Sequence, residues 1–295
     1  MRLSKYAAID IGSNAVRLLV SNVIERKNRP TVYTKNAMVR VPIRLGQDTF
    51  THGSIGMPNQ QRLIDAMHSF KLLMGVHGVS HYMACATSAL REAKNGKKLI
   101  ERIHKETEVS VELIDGKREA EIIAMTDLFN IVKPHKSYLF VDVGGGSTEL
   151  TLIRQGKSIA SKSFKIGTVR LLNKMVRASE LEKYKDWIVS HTKSISRISV
   201  VGSGGTINKV FKMTGRKIGK PLSFMLLSEQ HEYLKKRSQK ELMVDLELNP
   251  DRADVIVPAV QIYLTAMKFS NSNKIYVPKV GLADGMIKLL YKELH

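Results

Sequence analysis

The sequence predicts an α/β fold made of two related lobes, and three observations carry that expectation. Strand-like and helix-like segments alternate along all 295 residues. A buried-type apolar strand running into an Asp and a glycine turn occurs twice in the same frame, at Asp10 and at Asp142. The chain is long enough to bury two cores and short for three.

Tyr6–Ile11 and Val16–Ile24 read as two strands joined by a Gly-Ser-Asn turn, and Thr31–Val41 as a third. Arg44–Gly56 reads as a polar loop. Pro58 then opens an amphipathic helix to about Val76, proline being favoured in the first helical turn. His81–Ala86 is a strand, Gly96–Thr107 a helix and Val109–Ile114 a strand, followed by a helix from about Lys117 to Val132. The link to the second lobe falls near Pro134–Lys136. The lobes are thus 1–133 and 134–281.

From Tyr138 the pattern restarts. Tyr138–Val143, Thr148–Arg154 and Ser158–Lys165 read as strands, and Val169–Val176 and Glu180–Lys193 as helices. Ile198–Val201 is a strand and Gly205–Met213 a helix. Ser228–Gln239 and Asp254–Phe269 are helical, Lys274–Val277 is a short strand, and a last helix starts at Leu282.

The recurrence is residue by residue. Asp10 is followed two positions on by Gly12 and eight on by Leu18; Asp142 is followed by Gly144 and Leu150 at the same offsets, 132 residues later. A lone strand–Asp–Gly turn is weak, since most are plain hairpins. Two in one frame point to a duplicated lobe with one acidic hairpin in each.

Composition excludes several classes. No run approaches the ~18 apolar residues of a membrane helix, and Asp10 interrupts the first apolar run, so no signal peptide is expected. The single cysteine, Cys85, makes no internal disulfide and suits a cytoplasmic protein. The net charge of +20 is uneven: residues 1–150 carry 21 basic and 15 acidic side chains, residues 151–295 carry 26 and 12. Such a field concentrates polyanions. The basic stretches lack the interleaved aromatics of a single-strand platform and any zinc-finger spacing, which argues against nucleic acid as the partner. Solvated lysine-rich helix faces are the plain alternative.

Bare glycine backbone lets an anion approach several N–H donors. Gly144-Gly145-Gly146-Ser147-Thr148 offers such a turn, but Asp142 and Glu149 flank it. Two carboxylates beside a phosphate would repel it unless a cation lay between, and Mg²⁺ takes one or two carboxylates plus phosphate oxygens. Asp142, Glu149 and Asp10 are therefore candidate metal ligands, Asp10 with Ser13 and Asn14 forming the counterpart in the first lobe. Arg91, in Ala86–Glu92, can clasp phosphate oxygens bidentately, although a surface helix charge is the commoner role. Gly202-Ser203-Gly204-Gly205-Thr206 places a helix start where an anion can sit. Glu119 and Glu121 lie in the first turn of a helix after Asp115, where the helix dipole alone accounts for acids. Composition does not choose a general base between them.

These segments together resemble the exopolyphosphatase/guanosine pentaphosphatase family, within the superfamily of actin, heat-shock chaperones and sugar kinases. The motifs are Asp10-Ile-Gly-Ser-Asn-Ala-Val-Arg17, Ala86-Thr-Ser-Ala-Leu-Arg91-Glu-Ala-Lys-Asn95, Asp142-Val-Gly-Gly-Gly-Ser147-Thr-Glu149 and Gly202-Ser-Gly-Gly-Thr206. Asn249-Pro-Asp-Arg252-Ala-Asp254 and Gly281-Leu-Ala-Asp-Gly285 complete the set. The resemblance implies two ribonuclease-H-like (actin-like ATPase) lobes with an interdomain cleft, the C-terminal helix 282–295 packing back on the first. It implies Glu119 as general base, Asp142 and Glu149 with the metal, and phosphate contacts at Asn14, Arg17, Arg91, the Gly144–Gly146 turn and Ser147. It also allows a homodimer. Arg118 stands where the family usually has a Glu, Ala15 where Ser is frequent, and Ala283 where Arg is common. Long members continue into a further helical region; this chain resembles the short form, which disfavours processive action on very long chains.

The expected function is hydrolysis of the terminal phosphoanhydride of inorganic polyphosphate or guanosine pentaphosphate, with Mg²⁺ or alternatively Mn²⁺. Two other readings stand beside it. A kinase of the same superfamily would share the glycine hairpins, but the Ala86–Asn95 segment matches the phosphatases. A non-catalytic binder of polyphosphate or alarmone would not need Glu119, Asp142 and Glu149.

Overall fold

A computed structural model describes residues 1–126 and 135–295. The chain divides into two compact units, Met1–Thr126 with Leu282–His295, and Asp127–Gly281.

In the first unit, β1 (Arg2–Ile11), β2 (Val16–Arg26), β3 (Arg29–Val41), β4 (His81–Ala86) and β5 (Glu112–Leu113) form one sheet in the order β3-β2-β1-β4-β5. β1 and β2 are antiparallel, with Asp10 opposite Arg17; β1 and β4 are parallel, as are β4 and β5. Ala7, Ile9 and Ile11 alternate inward with Leu18 and Val20, packing with Leu63, Met67 and Phe70 of the helix Met57–His77. Gly78, in the left-handed region at φ 64°, ends that helix.

The helix Leu282–Leu294 belongs to this unit and packs on β1 and on the helix Gly116–Ala124. The approach is so close that a Cβ on Gly285 would lie 2.0 Å from the Ile122 carbonyl oxygen. Only glycine fits there.

The second unit repeats the arrangement. β6 (Ser137–Val143), β7 (Thr148–Arg154), β8 (Lys157–Phe164), β9 (Ile198–Ser203), β10 (Leu222–Ser223) and β11 (Lys274–Tyr276) form a sheet in the order β10-β11-β9-β6-β7-β8. β6 pairs antiparallel with β7 and parallel with β9, as β1 does with β2 and β4. Leu139, Val141, Leu150 and Phe164 meet Tyr184 and Trp187 of the helix Ala178–Thr192 and Tyr263 of the helix Ile256–Phe269 in its core. Both units are thus α/β lobes of the ribonuclease-H-like kind, and the added β10 lies on the outer edge of the second.

Four expectations need correction. The segment after Arg44 is not a loop: Leu45–His52 is a helix, because Leu45, Thr49 and Phe50 are buried against the Ser13 turn and the segment after β4. The strand expected over Val109–Ile114 pairs only at Glu112–Leu113. The helix expected at Ser228–Gln239 runs instead over Phe224–Lys235, with a separate helix Gln239–Val244 started by a Ser238–Glu241 capping box. Asp254 precedes rather than opens its long helix, and itself ends a short helix Pro250–Ala253. The helix expected from Lys117 is present over Gly116–Ala124 and is capped at Met125; the expected residues beyond Thr126, and Pro134 at the expected link, lie outside the described residues.

Candidate functional site

The second unit's hairpin carries the strongest arrangement. Asp142 and Glu149 are Cα partners across β6 and β7, with Val143 and Thr148 paired above them and the glycine turn beyond. A carboxylate oxygen of one lies within 4.8 Å of a carboxylate oxygen of the other. Ser163 on β8 donates to Glu149 Oε1 at 2.9 Å, and Glu149 is buried. Two like charges directly opposite on adjacent strands destabilise a sheet. A divalent cation between them removes that penalty, and two carboxylates are the usual protein share of a Mg²⁺ shell. The donor set fits the ion.

The turn itself faces one way. The Gly144 carbonyl accepts from Thr168 N (3.0 Å), the Gly145 carbonyl from Val169 N (2.9 Å), and the Gly146 carbonyl from Arg170 Nε (2.6 Å). In a trans planar peptide the carbonyl and the following N–H point to opposite sides, and no peptide in the described chain is cis. The N–H groups of Gly145, Gly146 and Ser147 therefore all point away from the helix Thr168–Leu172, as a row of donors suited to an anion. Gly167 makes this packing fit: a Cβ there would lie 2.3 Å from the Gly145 carbonyl oxygen. The sequence reading missed Gly167 and Arg170. Their only local signal was an Ile-Gly-Thr before a helix.

Beside Asp142, β9 ends at Ser203, its parallel partner. Gly204 follows with φ 126°, a conformation open to glycine alone, and its hypothetical Cβ would lie 3.0 Å from the Val143 carbonyl oxygen and 3.9 Å from Asp142 Oδ1. Gly205 then starts the helix Gly205–Met213. Tyr263 supports this corner from below, its buried hydroxyl donating to the Ser203 carbonyl. Burial and the Asp142 charge push the Tyr263 phenol well above its ordinary pKa, so it stays a donor.

The first unit's hairpin has the same backbone plan with different charges. Gly46 N donates to the Ser13 carbonyl (2.7 Å) and Arg44 N to the Asn14 carbonyl (3.1 Å), so the helix Leu45–His52 holds this turn as Thr168–Leu172 holds the other. Asp10, also buried, receives Arg17 Nη1 at 2.7 Å. Where the second hairpin sets Glu149 opposite its acid, the first sets a guanidinium. Ser13 Oγ shares a 2.9 Å hydrogen bond with Ser88 Oγ. Arg91 donates from Nη1 to the Ile114 carbonyl at 2.7 Å, which fastens the helix Ser88–Glu92 to the end of β5.

Glu119 lies in the first turn of Gly116–Ala124, which Asp115 caps by accepting from Arg118 N at 2.7 Å. It is 8% exposed, whereas Glu121 is exposed and pairs with Arg118. Arg118 also reaches Glu112 and Glu293 of the C-terminal helix, so the residue that departs from the family pattern serves a surface ion network.

Fold and site define a protein of two ribonuclease-H-like lobes with a row of amides and a facing pair of carboxylates at the end of its second sheet. The chain matches the Ppx/GppA phosphatase family over residues 30–294, and it belongs to that family. It is 27% identical over 217 residues to the bifunctional 3-dehydroquinate synthase/phosphatase of Fusobacterium nucleatum, covering 68% of this chain but only 32% of that longer protein. It is 23% identical over 305 residues to exopolyphosphatase 1 of Mycobacterium bovis, covering 96% of this chain and 87% of that one. The crystal structure of an exopolyphosphatase from Cytophaga hutchinsonii is similar with a TM-score of 0.82 and 26% identity, over 99% of this chain and 98% of that one. Among the described residues no helix is long and apolar enough to cross a membrane.

Proposed function

We propose that this protein hydrolyses the terminal phosphoanhydride bond of inorganic polyphosphate, with guanosine pentaphosphate as the second candidate substrate. The observation that carries the proposal is the Asp142–Glu149 pair beside the one-sided amides of the Gly144–Ser147 turn. That pairing suits a phosphate end bridged to carboxylates by a cation. The chain's similarity to the exopolyphosphatases of M. bovis and C. hutchinsonii supports polyphosphate as the first candidate.

In this reading Asp142 and Glu149 hold Mg²⁺, or Mn²⁺ in its place. The ion would supply charge neutralisation at the phosphate oxygens. The N–H groups of Gly145, Gly146 and Ser147 bind the terminal phosphate, and the Gly204–Gly205 helix start binds the next. Ser13, Asn14, Arg17 and Arg91 contribute further phosphate contacts, with Asp10 orienting Arg17. Glu119 orients the attacking water and accepts its proton as the oxygen bonds to phosphorus and the bridging oxygen leaves with the shortened chain. Phosphoryl transfer demands mainly positioning and charge neutralisation, and this set of residues offers both.

Phosphate release from tripolyphosphate and from guanosine pentaphosphate, with Mg²⁺, with Mn²⁺ and with EDTA, tests the proposal. Release of orthophosphate that EDTA abolishes is the expected result. ADP formed from ATP only in the presence of a second acceptor would make the protein a kinase. Tight binding with no release under either metal would make it a binder.

A further inference from the structure

Between Asp186 and Glu229 the chain holds seven Lys or Arg residues and no acid. The stretch between Glu149 and Glu180 holds as many, also without an acid, but the fold gives this second run a direction away from the site. The helix Gly205–Met213 buries Ile207, Val210 and Phe211 against the second core. Its other face, by the i, i+3, i+4, i+7 rule, presents Gly205, Asn208, Lys209 and Lys212. That face begins at Gly204, beside Asp142 Oδ1, and Lys212 lies about 10 Å further along the axis.

Beyond the helix, Gly215 (φ 65°) and Gly219 (φ 84°) turn the chain through an exposed segment carrying Arg216, Lys217 and Lys220. Arg216 donates to the Pro221 carbonyl, which holds the turn closed. No carboxylate among the described residues pairs with Lys209, Lys212, Lys217 or Lys220. Solvated lysines on an ordinary surface are interspersed with acids; these are not.

We infer that Lys209, Lys212, Lys217 and Lys220 form a track for the distal phosphates of a linear polyphosphate chain whose end is bound at the Gly144–Ser147 turn. The inference rests on the function proposed above and extends it to chain length. A row of unpaired cations leading away from the site binds a flexible polyanion by charge alone. A tripolyphosphate is too short to use it.

The test compares Lys212→Glu/Lys217→Glu/Lys220→Glu with a control of equal charge change, Lys136→Glu/Lys157→Glu/Lys162→Glu. Two of the control lysines lie on β8, at the opposite edge of the same sheet, and all six positions are exposed. Binding of labelled long-chain polyphosphate is measured in EDTA, and phosphate release from tripolyphosphate and from long chains in Mg²⁺. The track predicts affinity and long-chain KM worsened about tenfold or more in the first variant relative to the control, steeper salt dependence in the wild type, and tripolyphosphate kcat/KM alike in both variants. Equal long-chain binding by the two variants overturns the track while leaving hydrolysis of tripolyphosphate intact. Wild-type protein that binds long chains through these lysines but releases no phosphate overturns the proposed hydrolysis and leaves the track standing. Displacement of the label by single-stranded RNA at equal phosphate concentration overturns it in favour of a nucleic-acid surface.

Discussion

Asp142 stands directly opposite Glu149 on neighbouring strands, at the position where the first lobe sets Asp10 opposite Arg17. The first pair is neutral as it stands. The second sets two carboxylates against each other, and the proposed cation would lie between them. Asp142→Asn should therefore leave metal-free stability unchanged or slightly raised, by up to about 1 kcal/mol, since it relieves a like-charge contact. Wild-type Tm should rise with Mg²⁺ and the variant's should not. Thermal unfolding with and without Mg²⁺ checks this, and equal rises in both proteins would remove Asp142 from the metal site.

Gly167→Ala places a methyl group 2.3 Å from the Gly145 carbonyl oxygen, with rigid backbone on both sides. The turn must shift, at a cost of about 1–3 kcal/mol, and its amides lose their aim. Activity should fall by more than the loss of folded protein explains. Gly156→Ala is the contrast. It sits at φ 73° with nothing near the added carbon, so it should cost about 1 kcal/mol in backbone strain and spare specific activity.

Glu119→Gln should lower turnover by roughly 10²–10⁴-fold, the usual worth of a general base, with substrate binding retained. Glu121→Gln, on the exposed side of the same helix turn, should change turnover by less than about twofold, the range expected of a surface charge. Steady-state kinetics and a binding isotherm for each variant suffice. Turnover near wild type in Glu119→Gln would exclude the role.

The C-terminal helix should be held by steric fit rather than by charge. Gly285→Ala would drive a carbon into the Ile122 carbonyl and should destabilise the first unit by several kcal/mol, of the order seen for overpacking. Glu293→Gln removes only an exposed pair with Arg118 and should cost less than about 1 kcal/mol. Denaturant titration ranks the two, and the reverse order would refute the packing argument.

Burial pushes the Cys85 thiol up to about 12, with Glu112 and Asp10 adding to the effect. At pH 8 the native protein should resist a thiol reagent, while the unfolded chain reacts with one equivalent. The shift also has a stability sign. The folded pKa lies above the 9.0 of the free thiol, so this contribution is full below pH 9 and lost as pH climbs from 9 to 12. Stoichiometric labelling of the native protein at pH 8 would contradict the buried placement.

The hairpins were legible because their signal is local. Asp10-Ile-Gly and Asp142-Val-Gly each mark a strand end and a turn within three residues, and the 132-residue repeat doubles the evidence. The helix Leu45–His52 was not legible. Its polar residues outnumber its apolar ones, and what stabilises it is contact with Ser13, more than thirty residues away in sequence. Gly167 and Arg170 were hidden for the same reason, since nothing near them in sequence announces a partner at Gly145 and Gly146.

The sequence by itself determined that this is a duplicated α/β chain with an acid at each glycine hairpin, because period-two and period-3.6 patterning and turn chemistry are written in neighbouring residues. Only the tertiary structure decided which way the turn amides face, that Glu119 is buried while Glu121 is not, and that Asp10 meets a guanidinium where Asp142 meets a carboxylate. Those outcomes depend on register and on contacts between distant segments, which pack against one another only once the sheets have formed.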